Sequence, residues 1–162
     1  MDARWRPIAV AVGVIAVTGA MVGGVATADD DEVKLEADLS GANEVPPADP
    51  DGTGFAKLSL DVDGGEVCFE LRVDDTGTPN RGHIHVGAAG TNGGIVVTFF
   101  ELAGDPADPR HDQLENDGEL EACVAAGSDQ LQAIAEDPAG YYVNLHNARF
   151  PGGAVRGQLE DG

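Results

Sequence analysis

Phe55-Ala-Lys-Leu-Ser-Leu-Asp-Val-Asp-Gly-Gly-Glu-Val-Cys-Phe-Glu-Leu-Arg-Val73 alternates apolar and polar side chains, turns on glycine, and resumes as a second apolar-rich run. Successive side chains of an extended strand point to opposite faces. Ala56, Leu58, Leu60 and Val62 therefore share one face, and Phe55, Lys57, Ser59 and Asp61 share the other. Asp63-Gly64-Gly65 supplies a tight connection to a second strand over Val67–Val73. The stretch reads as a β-hairpin with one face for a core and one for water.

The pattern repeats on both sides of this hairpin. Val33, Leu35, Ala37 and Leu39 alternate with polar residues, and His83–Val86, Ile95–Leu102, Glu119–Val124, Tyr141–Asn147 and Ala154–Leu159 are further strand-like runs bounded by turn residues. Residues 103–117 hold two prolines and many acids and read as a surface loop. One short helix is expected after Ser128, which can cap it. Asp129 suits the positive end of its dipole, Leu131, Ile134 and Ala135 form its apolar stripe, and Asp137-Pro138 ends it. Many short strands, Gly/Pro turns and one helix predict an all-β fold: a single antiparallel Greek-key β-sandwich of about eight strands. No internal repeat is evident.

The amino-terminal segment sets the expected compartment. Arg4 and Arg6 precede an apolar stretch from Ile8 to Val25, and Ala26-Thr27-Ala28 follows as a small-x-small site. This is the layout of a signal peptide over residues 1–28, with an uncleaved anchor as the alternative. The positive flank before the stretch and the acidic leader 29–32 after it place residues 33–162 outside the cytoplasm in either case. Membrane contact is expected only through residues 8–25, if that segment is retained. No second apolar stretch could span a bilayer, no lipobox cysteine is present, and no N-x-S/T sequon occurs.

Nine Lys+Arg against 29 Asp+Glu give a formal charge of -20. Losing residues 1–28, with two arginines and one aspartate, moves it to -21. That balance disfavours nucleic acid and anionic membranes as partners. The acids are scattered across turns, which fits a solubilising surface; divalent cation binding is the sharper alternative. The two cysteines, Cys68 and Cys123, are an even pair in a chain expected to be exported, which points to a disulfide; two buried free thiols are the other reading. A bridge across that separation would be worth about 4 kcal/mol in the chain-entropy model.

The residues also resemble a known family. Leu39-Ser-Gly-Ala-Asn-Glu-Val-Pro-Pro47, Gly52-Thr-Gly54, Cys68-Phe-Glu-Leu71, Gly82-His-Ile-His-Val-Gly87, Gly94-Ile-Val-Val97, Pro138-Ala-Gly-Tyr-Tyr-Val-Asn-Leu-His146 and Pro151-Gly-Gly-Ala-Val-Arg-Gly-Gln-Leu159 look like the successive motifs of the chordin-type (CHRD) domain. The resemblance runs over roughly residues 33–160. It implies an extracellular β-rich module, with an unknown extracellular protein or cell-envelope component as partner. It implies little about biochemistry, and no growth-factor role transfers, because chordin's cysteine-rich modules have no counterpart here. In the module reading, Cys68 and Cys123 staple the two sheets of the sandwich and the module is non-catalytic.

His83-Ile-His85 and the later strand histidine His146 carry the question of chemistry. His83 and His85 share a strand face by their i, i+2 spacing, and Tyr142, Asn144 and His146 share a face of another run. The H-x-H pair with a late strand histidine is similar to the copper ligands of copper/zinc superoxide dismutases, which are also Greek-key sandwiches. The bridging and zinc-site histidines of those enzymes have no counterpart, so their activity is not implied. His111, in a polar segment, is the only other histidine. Two readings stand: a copper or zinc site of His83, His85 and His146, or a structural cluster in which the imidazoles bond to Asn144, Asn147 or backbone carbonyls.

Three smaller motifs complete the survey. Gly87-Ala-Ala-Gly-Thr-Asn-Gly-Gly94 lacks the lysine and following helix of a phosphate loop and reads as a strand connection, with Asn92-Gly93 supplying positive φ. Asp49-Pro-Asp-Gly-Thr53 opens like a calcium loop, but lacks the third acid and the Glu at position twelve, where Leu60 stands; it reads as a turn. Arg149 and Arg156 are candidate anion contacts. No Ser–His–acid or Cys–His constellation stands out, so the sequence offers little support for catalysis.

Overall fold

The computed structural model describes residues 32–102 and 108–162. The amino-terminal segment 1–28 and most of the acidic leader lie outside these residues, as does 103–107. The strands are β1 (Glu32–Ser40), β2 (Thr53–Asp61), β3 (Glu66–Asp74), β4 (Arg81–Val86), β5 (Ile95–Glu101), β6 (Glu119–Ala125), β7 (Tyr141–His146), β8 (Val155–Gln158) and a two-residue β9 (Glu160–Asp161). Two helices accompany them, α1 (Pro109–Asn116) and α2 (Ser128–Glu136). The fold is all-β and antiparallel throughout, as the alternation predicts.

The strands form one hydrogen-bonded path, β5-β4-β7-β8-β1-β2-β3-β6, with β9 also on β1. This path folds over to make a barrel-like sandwich. β1-β2-β3-β6 forms one half and β5-β4-β7-β8 the other. They join where Ser40 of β1 faces Arg156 of β8. Leu35, Ala37, Leu58, Leu60, Val67, Phe69 and Leu71 line the first half, and Ile84, Val97, Phe99, Val143, Leu145 and Val155 the second. All are nearly inaccessible to solvent, and their burial supplies the main favourable term of folding. Phe69 and Phe99 stack across the interior with ring centroids 4.4 Å apart. Leu131 and Ile134 of α2 are buried as expected. Among the described residues, no helix is long and apolar enough to cross a membrane.

Four expectations need correction. Residues 103–117 are not loop throughout, because α1 forms from Pro109. Asp108 accepts a hydrogen bond from the Arg110 amide at 3.0 Å. Pro109 is suited to the first turn, where its missing N–H costs nothing. Leu114 is the helix's one buried residue, so no apolar periodicity announced it. The second correction concerns the start of α2. Gly127, not Ser128, occupies the cap, and the Gln130 side chain accepts from its N–H at 3.2 Å.

The third correction is the disulfide. Cys68 and Cys123 are bonded, but they sit opposite one another on neighbouring strands β3 and β6, with Cα atoms 3.9 Å apart. The bridge therefore ties an edge strand to its neighbour on the outer surface of one half, and does not staple two sheets. Last, positive φ in the glycine-rich loop occurs at Gly87 and Gly90. Gly93 is needed for a different reason: a Cβ there would lie 1.5 Å from the Val86 carbonyl oxygen.

Candidate functional site

The outer face of β4-β7-β8 is polar but buried. Register pairs Arg81 with His146, His83 with Asn144 and His85 with Tyr142 across β4 and β7, and Asn144 with Arg156 and Tyr142 with Gln158 across β7 and β8. The apolar members of the same strands, Ile84, Val143, Leu145 and Val155, turn inward. Strand alternation thus gathers His83, His85 and His146 on one face, as the i, i+2 spacing predicts for the first two. The segment around Glu44, the loop 87–94 and the turn 150–153 contribute the groups that contact this face, and His83 is only 1% exposed.

Each imidazole has one nitrogen engaged at the periphery. His85 Nδ1 lies 3.0 Å from the Gly93 carbonyl oxygen, and His146 Nδ1 3.2 Å from that of Pro151. Both acceptors are carbonyls, so each Nδ1 must carry the proton. His83 Nε2 lies 3.4 Å from a Glu101 carboxylate oxygen and donates to it. The remaining nitrogens are therefore lone-pair donors: His83 Nδ1, His85 Nε2 and His146 Nε2. His83 Nδ1 and His146 Nε2 face each other at 3.3 Å, and His85 Nε2 is buried without a hydrogen-bond partner. One ligand-capable atom from each of the three residues falls within 4.8 Å of the others.

This is an unusual electrostatic arrangement. Two lone pairs at hydrogen-bond distance repel unless a proton or a cation lies between them. A ring could turn a proton inward, but it would then forfeit its outer bond. Two nitrogens bound tetrahedrally to one zinc at its usual bond length are about 3.4 Å apart, close to the His83–His146 separation. The outer carbonyl and carboxylate acceptors match the partners that orient metal-bound histidines.

The surroundings keep the rings neutral. Burial lowers the pKa of His83 and of His85. Burial first, and the neighbouring His83 second, push His146 down to about 4. A folded-state pKa below the unfolded value means that the native state binds fewer protons, so stability is present at neutral pH and is lost as pH falls from about 6.5 towards 4. We expect His146 alone to withdraw about 2–3 kcal/mol over that window. Chemical denaturation at neutral and mildly acidic pH should show the loss, and His146→Ala should flatten it.

Arg156 lies beside the histidines, and its Nε, paired in charge with Glu44, is buried without a hydrogen-bond partner. It is 4% exposed, its Nε is 3.1 Å from Glu44 Oε2, and its terminal nitrogens donate to the Thr91 carbonyl and to Asn92 Oδ1, each at 2.8 Å. It also lies over the Tyr142 ring, which stacks on His85. Arg149 is on an exposed turn over Phe150 and shares none of these contacts. Asn144 and Asn147 do not bond the imidazoles. Asn144 donates to Glu44 and to the Val155 carbonyl, and Asn147 braces the Thr76 and Phe150 backbone.

Glu44, Glu101, Gly93 and Pro151 are the partners that sequence reasoning did not find. Only Glu101 left a trace, as the one acid in the apolar run Ile95–Leu102. β5 bulges twice against β4, with register shifts at Gly82/His83 and Ile84/His85, and the strand ends with Glu101 beside the His83 ring.

These features define an antiparallel β module with a buried polar face built around three neutral imidazoles. The CHRD domain family profile matches residues 35–159, and the chain belongs to that family. No curated protein and no solved structure matches the chain significantly.

Proposed function

We propose that this is an exported CHRD-domain protein that binds one copper or zinc ion at His83, His85 and His146, within a non-catalytic extracellular binding or structural module. The observation that carries the reading is the set of inward lone pairs on three neutral rings whose outer nitrogens are already held by Gly93, Glu101 and Pro151. Imidazole suits both metals, and three protein ligands leave a further position open. The residues fit such an ion, and when bound it would supply Lewis acidity, or with copper a redox centre. The chain's own part is to hold the rings in one tautomer and to limit water around them. Export is supported by the layout of residues 1–28 and by the disulfide, which belongs to oxidising compartments.

The test is elemental analysis after loading with copper or zinc and desalting. The protein should retain about one equivalent of metal, and the His83→Ala/His146→Ala variant should retain none while its far-ultraviolet circular dichroism stays that of a β protein. Metal absent from both proteins would leave the histidines as structural residues.

A further inference from the structure

We propose that Arg156 is a positioning residue for the histidine cluster: by clamping the loop 87–94 it keeps the proton of His85 on Nδ1 and so presents the Nε2 lone pair inward. That role presupposes the metal site of His83, His85 and His146, and adds the residue on which one of its ligands depends.

The loop cannot hold itself in place. Glycine stands at 87, 90, 93 and 94, and ordering glycine costs more backbone entropy than ordering any other residue. Ala88 to Gly94 are exposed. The ends are tied by backbone bonds: the Gly87 amide donates to the Gly140 carbonyl at 2.7 Å, and the Val86 amide to the Gly94 carbonyl at 3.0 Å. Between these ties, among the described residues, no backbone–backbone bond joins residues 88–93 to the rest of the fold. Side chains hold them instead.

Arg156, on β8 and 4% exposed, is the main holder. Its terminal nitrogens donate to the Thr91 carbonyl and to Asn92 Oδ1, each at 2.8 Å. One planar guanidinium thus grips two successive residues, with charge-assisted bonds that are roughly twice as strong as neutral ones. Asn92 extends the grip, since its Nδ2 donates to the Val45 carbonyl at 2.8 Å. Gly93 comes next in the chain. Its amide donates to the Tyr142 hydroxyl at 3.2 Å, and its carbonyl is the acceptor for His85 Nδ1 at 3.0 Å. A buried arginine therefore stands behind the acceptor that orients an imidazole.

The other two rings do not rely on this loop. His83 is held by Glu101 at the end of β5, and His146 by the Pro151 carbonyl, which also accepts from Arg81 at 2.7 Å. If residues 91–93 moved away, His85 Nδ1 would lose its acceptor, and its proton could sit on Nε2 instead. There it would point among the ligand atoms of His83 and His146, which lie within 4.8 Å of that of His85. It would take the place of a cation. The clamp thus decides whether the third nitrogen is a ligand or a hydrogen-bond donor.

The experiment reads the tautomers of the metal-free full chain by long-range proton–nitrogen correlation spectra of the histidine rings, and then zinc affinity by chelator competition. In the parent protein His85 should carry its proton on Nδ1. Arg156→Lys keeps the charge beside Glu44 but loses the forked grip, and should bring the Nε2–H form of His85 into view while His146 stays as it was. Zinc affinity should fall about 10- to 100-fold, the usual loss for an outer partner of a metal-bound histidine. Should Arg156→Lys fail to fold, Glu44→Gln/Arg156→Met removes the clamp without leaving a buried charge unpaired, and the same shifts are expected. Arg72→Lys, on the outer surface of the other half, should change neither readout. Protonation of His85 on Nε2 in the parent, an unchanged His85 tautomer in a folded variant, or zinc affinity equal to the parent's would each overturn the proposal. A parent that binds no zinc, with the tautomer shifting as expected, would uphold the clamp and overturn the metal reading alone.

Discussion

Glu44→Ala should destabilise the protein by about 3–5 kcal/mol, the range for removing one partner of a buried ion pair. Glu44 and Arg156 are 6% and 4% exposed. Burial raises the Glu44 pKa even though Arg156 pulls it down, so desolvation outweighs the attraction and the intact pair contributes little net stability. The asymmetry appears on truncation. Alanine removes the carboxylate together with its desolvation, but it strands a guanidinium whose remaining partners are neutral oxygens and the face of Tyr142. Asn144 loses an acceptor in the same step. A double-mutant cycle with Arg156→Met should recover much of the loss, because the stranded charge is then gone as well. Urea denaturation of the four proteins measures this. Additive losses would mean that water reaches the guanidinium once Glu44 is truncated.

Reducing the Cys68–Cys123 bridge should remove about 4 kcal/mol, from a closed loop with a sequence separation of 55 residues. The term acts mainly on the unfolded chain, which regains the freedom of the segment between the two strands. Native geometry should change little, because β3 and β6 remain paired along their length, from Glu66–Ala125 to Arg72–Glu119. The check is denaturation with and without a dithiol reductant, compared with the Cys68→Ser/Cys123→Ser variant. A loss below about 1 kcal/mol would show that the reduced, unfolded chain keeps residual structure linking the two segments.

Much of the fold was legible because strand alternation is local. Ala56, Leu58 and Leu60 declare their face without knowing what they meet, and His83 and His85 declare a shared face in the same way. What alternation cannot say is which strand lies beside which. That gap explains the misplaced disulfide: Cys68 and Cys123 both sat on evident strands, but their adjacency depends on β3-β6 pairing across a long excursion of the chain. It also hid Glu44 and Glu101, whose roles arise only when distant segments lie against the β4-β7-β8 face. The missed helix has another cause. α1 is a polar helix held by an Asp108 cap, a proline in its first turn and a single anchor, Leu114, so it presents caps without periodicity.

The hydrogen-bonded path through the sheet has a consequence for how this molecule can yield. β6, the strand tied by the disulfide, is at one end of the path, and β4 and β7, which carry all three imidazoles, are adjacent near the other. Between them lies the narrow join at Ser40 and Arg156. Along the hydrogen bonds alone, fraying that starts at β6 crosses β3, β2, β1 and β8 before it reaches the histidine strands. The imidazoles and the disulfide thus stand far apart along the hydrogen bonds of the sheet, while the shared core, where Phe69 of β3 meets Phe99 of β5, couples the two halves directly.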